Sequence, residues 1–257
     1  FRPIDAEVSL SRALFNHRSP YRAKLDSIIS QYSTMTSQDF VTSLVDTAQL
    51  IIPHQYSEKP FEQSIALLSI FRVLFNRFYE LYPEYLLHPI DECMNVVWVL
   101  RKLPAKAFPL PSDLITGDIE GKSISEVFNR DNQYHAAAQF LENAIFETNP
   151  TDVLYYLHRC LLSINKGALI NRLGANPASP EDVNQLLCFD DLFSLFFGVF
   201  LASEVPDIFG INRFLNDYAP KQNLSPAFEY TQANLEALVM HCRGDEVRKI
   251  IERCKCL

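Results

Sequence analysis

The chain has 257 residues, 48% hydrophobic and 21% charged, which is long and apolar enough for a sizeable core. Its net charge of −8 argues against nucleic acid or an anionic membrane surface as the main ligand. No apolar run reaches the length of a membrane span, because Arg72, Asn76 and Arg77 interrupt the longest one, and 15 prolines against 7 glycines point to helices punctuated by proline.

Taken in order, the segments open on proline or hydroxyl residues and continue with apolar residues at helical spacing. A first short helix is predicted over residues 3–17. The next follows Ser19 and Pro20, with Tyr21, Leu25, Ile28, Ile29 and Tyr32 on its apolar face. A third starts at Ser37 and turns Phe40, Val41, Leu44, Val45, Ala48 and Ile52 inward until Pro53 stops it. Residues 61–82 are apolar nearly all round, the pattern of a central helix in the N-terminal half. Pro89 opens a further segment that carries the only tryptophan, Trp98.

Between residues 102 and 122 the periodicity disappears, and Pro104, Pro109 and Pro111 break any helix. This stretch reads as an ordered connector, so the expected division is an N-terminal bundle over 1–101 and a second domain over 102–257. Helical spacing resumes at Tyr134. Another helix starts at Pro150, with Val153, Leu154, Leu157, Leu161, Leu162 and Ile164 on one side. Ser179, Pro180 and Glu181 mark the approach to a later helix, and further helices are predicted over 208–218, 226–242 and 245–254. About ten helices and no convincing strand make the expected fold all-α.

The chain is organised around residues 184–201, NQLLCFDDLFSLFFGVFL. Leu192, Phe193, Leu195, Phe196, Phe197, Val199, Phe200 and Leu201 leave no polar stripe, so a helix here is buried on most sides. Asp190 and Asp191 open it. They admit two readings: first-turn carboxylates that complement the helix dipole, or an anion presented to a partner at the rim of an apolar groove.

Covalent and metal chemistry find little support. GDIEGKS, beginning at Gly117, has one residue too few between its glycines for a phosphate loop, and Asp118 and Glu120 would repel a phosphate. It reads as a turn followed by a helix cap at Ser123. The six histidines show no pair at ligand spacing on one helix, and the six cysteines no zinc spacing, so no metal or cofactor is expected. Unpaired cysteines fit a reducing, cytoplasmic compartment. Cys254 and Cys256 are expected to be neither bridged nor metal-bound. The last four residues formally fit a prenylation box, but Lys255 stands where that signal prefers an aliphatic residue.

Three blocks of the C-terminal half resemble the vacuolar protein sorting 9 domain, the helical exchange module of early-endosomal Rab GTPases. They are DVLYYLHRCLLSINKGALI from Asp152, FDDLFSLF from Phe189 and EYTQANLEAL from Glu229, in the family's order and at about its spacing. The resemblance implies an N-terminal bundle packed on an exchange domain. It also implies guanine nucleotide exchange on a Rab-type GTPase without covalent chemistry, and a cytoplasmic protein peripheral on endosomes. It places the catalytic pair on Asp190 and Tyr230, with Asp190 competing for the lysine of the GTPase phosphate loop and Tyr230 bracing it or touching a switch region. The partner-binding face falls on Asp191, Phe193, Ser194, Phe197, Ala233 and Asn234. Ser194 replaces the family's proline and Ala233 its threonine. The alternative is a catalytically silent helical scaffold or adaptor in vesicle traffic, in which Asp190 serves only its helix.

Overall fold

A computed structural model describes residues 11–12, 14–16, 18–52, 60–83, 90–173, 187–221 and 224–255. Most of the first predicted helix, Pro53, Pro89, residues 179–181 and Cys256 lie outside them. The fold is all-α. Among the described residues there are eleven α-helices, and the only strand-like pairing is one isolated bridge, Pro104 to Ser123. No helix there is long and apolar enough to cross a membrane.

The chain divides into two compact units. The first comprises residues 1–89, 147–155 and 213–230, the second 90–146, 156–212 and 231–257. The connector belongs inside the second unit because its two ends are tied together. The Ala105 N–H donates to the Lys122 carbonyl at 2.9 Å, and the Ile124 N–H to the Leu103 carbonyl at 2.9 Å.

In the first unit, α1 (Arg22–Gln31) and α2 (Ser37–Ile51) pack with α3 (Pro60–Leu81). Thr36, one residue before the expected start, caps α2 by accepting from the Asp39 N–H. Along α3, residues 67–75 are buried without interruption, as a helix lacking a polar face requires. Tyr32, Phe40 and Phe78 form an aromatic cluster with ring centroids 4.3–4.9 Å apart. The burial includes a charge. Arg72 donates through Nε to both oxygens of Asp152, at 2.7 and 3.0 Å, with the side chains 5% and 8% exposed. Asp152 is held in place by the start of α7 (Pro150–Leu173), which Asn149 caps by accepting from the Thr151 N–H. The Asn149 amide in turn donates to the Arg72 carbonyl at 3.0 Å.

The second unit contains α4 (Met94–Leu100), α5 (Ile124–Arg130), α6 (Asn132–Ala144), α8 (Phe189–Ala202) and α11 (Asp245–Lys255). It also holds the larger parts of α7 and α10 (Pro226–Arg243), and the start of α9 (Ile208–Tyr218). On α7, Leu157, Cys160, Leu161, Ile164 and Ala168 form the inward stripe, and Leu162 is exposed because it is turned about 100° from Leu161. The α4 helix begins at Met94, after a turn in which Asp91 accepts from the Cys93 N–H. Residues 117–121 form the expected turn, with φ +81° at Gly117 and +67° at Gly121. Ser123 and Glu126 then close a capping box at the start of α5.

Helix α8 lies against α4, α5 and α6. Every residue from Leu195 to Ala202 is buried. Gly198 is what lets α5 approach: a Cβ there would stand 2.2–2.7 Å from Phe128 ring atoms. The Asn129 amide closes the far end of α8 by donating to the Ala202 carbonyl at 3.1 Å.

Asp152→Ala should cost about 3–5 kcal/mol in urea unfolding, because it strands a buried guanidinium. A loss under about 1 kcal/mol would show that the pair does not hold the first unit together. Gly198→Ala should cost about 1–3 kcal/mol by overpacking against Phe128, and Phe128→Leu in the same chain should recover part of that loss. Additive losses in the double variant would contradict this contact.

Candidate functional site

The α8 helix starts after Cys188, whose backbone is extended and whose thiol makes no cap bond. The first turn of α8 therefore offers its N–H groups and positive dipole end to Asp190 and Asp191. Asp190 is exposed and Asp191 half-buried. Among the described residues neither carboxylate makes a side-chain hydrogen bond or an ion pair.

One turn further on, α8 forms a wall of a cleft of about 640 Å³ that lies within the second unit. Phe193 and Phe197, four residues apart on one helix face, meet the ring of His241 edge to face. The centroid separations are 5.3 and 4.9 Å, with interplanar angles of 85° and 83°. Phe108 approaches Phe197 from the connector at 6.0 Å, and Ile250 of α11 closes the apolar side. Ser194 also faces the cleft, and the rim carries Lys106, Lys249, Arg253 and Glu246.

Burial pushes the His241 imidazole below its ordinary value of 6.5, against a weaker upward pull from Glu246 at 3.8 Å. His158 is lowered for the same reason, burial first and then the neighbouring Arg159. Its Nδ1 lies 3.3 Å from the buried hydroxyl of Thr231.

The predicted site residues fall into three groups. Phe193, Ser194 and Phe197 come together in the cleft. Asp190, Asp191, Tyr230 and Ala233 do not line it; Tyr230 is 46% exposed and Ala233 is exposed. Asn234, expected on the partner-binding face, is only 1% exposed. It follows buried Thr231 by three residues and so shares that residue's inward side of α10. His241, Lys249 and Arg253 were not singled out from the sequence. The 246, 249, 250, 253 spacing on α11 is visible there, but not that residues 106–110 line the same cleft.

Among the described residues two thiols, Cys160 and Cys242, are buried, whereas Cys188 is exposed. Cys160 is fully buried and pushed upward, and Cys242 is pushed up to about 12 by burial. Cys254 is a free thiol. Among the described residues no three histidine, cysteine or acidic side chains cluster as a metal site would need.

Compared with known proteins, the chain matches no family model and no curated protein.

Both histidines favour the neutral imidazole in the folded state, so their contribution to stability is full above pH 6.5 and is lost as pH falls below it. The melting temperature should therefore drop between pH 7.5 and 5.5, and His241→Gln should reduce the drop. A His241 titration midpoint above 6.5 by NMR would contradict this assignment.

Proposed function

We propose that the chain is a guanine nucleotide exchange factor for a Rab-type small GTPase of early endosomal traffic, acting at the cytoplasmic face of endosomes. The observation that supports the reading most is the state of Asp190. It is an exposed carboxylate at the open end of a helix that is otherwise buried.

A GTPase holds its nucleotide through a phosphate-loop lysine and a magnesium ion. An anion brought to that lysine on a rigid support competes with the phosphates and weakens the magnesium site. The α8 helix supplies the rigid support, since eight consecutive residues behind its first two turns are buried. Phe193, half-buried at the cleft, supplies an apolar surface on which a switch region rests in its open arrangement, with Phe197 buried behind it. Tyr230, on an exposed face of α10, meets a switch region. The net charge of −8 steers the chain toward a basic nucleotide site. No covalent bond is made or broken; the acceleration comes from binding the nucleotide-free state more tightly than the loaded one.

The test is fluorescent-nucleotide release from a panel of Rab GTPases. Asp190→Ala should lower stimulated release about 10²-fold, equivalent to about 2.7 kcal/mol. The same change should alter stability by only about 0.3–1 kcal/mol, the worth of an exposed first-turn carboxylate. Asp191→Ala should be milder, and Tyr230→Ala should weaken release less than additively with Asp190→Ala. Unchanged release in Asp190→Ala, with a slightly lower melting temperature, would leave the scaffold or adaptor reading.

A further inference from the structure

We propose that the cleft bounded by α8, α10, α11 and residues 106–110 is a binding site for a short acidic peptide segment of a partner protein. An aromatic or branched aliphatic side chain of the peptide sits against the half-buried Phe193 and His241, and flanking carboxylates pair with Lys249 and Arg253.

Charge identifies the occupant. The chain as a whole is acidic at −8, yet the charged residues lining this cleft are Lys106, Lys249 and Arg253 against Glu246 alone. Lys106 is already occupied by Glu120 at 2.8 Å. Among the described residues Lys249 and Arg253 have no carboxylate within ion-pair distance, and both are exposed. They stand four residues apart on one face of α11. The Arg253 Nε donates to the Lys249 carbonyl at 3.2 Å, which ties its stem to the helix and leaves the rest of the guanidinium to an anion. Charges further away than about 8 Å are screened at physiological salt, so the local cations prevail over the net charge.

The apolar wall narrows the choice further. A bare phosphate would leave the accessible faces of Phe193 and His241 without use. An anionic bilayer presents a broad surface that cannot enter a recess. A peptide satisfies both halves, with one anchor in the recess and carboxylates on the rim. This site goes beyond the exchange reading and does not involve Asp190, although Phe193 and Phe197 belong to both.

The probe is a fluorescein-labelled peptide Asp-Glu-Asp-Phe-Glu-Asp-Glu, followed by polarisation with the whole chain at low and high salt. Saturable binding is expected. Lys249→Glu with Arg253→Glu should weaken it about tenfold, the worth of two exposed ion pairs turned repulsive, with the melting temperature retained. Replacing the peptide's phenylalanine by serine should weaken it similarly. Asp190→Ala should bind the peptide as the parent chain does. Three results would each overturn the proposal: no saturable binding, equal binding of the serine peptide, or insensitivity to the α11 charge reversal. Binding to phosphatidylserine vesicles in place of the peptide would overturn it also. Loss of peptide binding with exchange retained defeats only this proposal, and absent exchange with peptide binding retained defeats only the exchange reading.

Discussion

A helix with no polar face can persist only where other helices cover it all round, and α8 sets that condition for the second unit. Its solution depends on a single close approach. Phe128 lies against the bare backbone of Gly198, so α5 can pack nearer than any side chain would permit. Once α5 is seated, Asn129 reaches the Ala202 carbonyl, and the cap at Ser123 fixes where α5 begins. The burial of one end leaves the other end exposed, and there the chain concentrates Cys188, Phe189 and Asp190. Rigidity behind and accessibility in front are what a carboxylate needs if it is to act on a partner rather than on its own helix.

The first unit solves a similar problem with charge. The near-continuous apolar surface of α3 is interrupted by Arg72, and burial of a guanidinium is tolerable only with a partner of good geometry. Asp152 and Asn149 provide that partner from a segment far along the chain. The result ties α3 to the beginning of α7 through directional contacts rather than through apolar area alone. Such pairs select one register among many that hydrophobic packing would accept.

Much of the fold was legible because its signals are local. The burial of residues 67–75 and 195–202 follows from composition alone, and the turn and cap over 117–126 follow from glycine, serine and glutamate at fixed offsets. What escaped is what depends on neighbours distant in sequence. Leu162 looks like a core residue until the partners of α7 are known, and Asn234 looks available until Thr231 shows which way that side of α10 turns. The expected boundary at 101 rested on loss of periodicity, which marks a loop and not the compact unit to which that loop belongs. The cleft was the least legible feature, because its aromatic and basic walls come from three separate parts of the chain.

The closure of the connector has a consequence for how this region tolerates change. Residues 103–105 meet 122–124 through paired backbone bonds, and Leu114 is anchored where Tyr134 and Asn171 donate to its carbonyl. The tip at 117–121 is thus a loop whose ends are held independently of its length. For such a loop each doubling in length adds only about 0.6 kcal/mol of closure entropy. Extra residues at the tip would be accommodated over evolutionary time or by design, whereas the same insertion a few residues earlier would sever the anchors at Leu114.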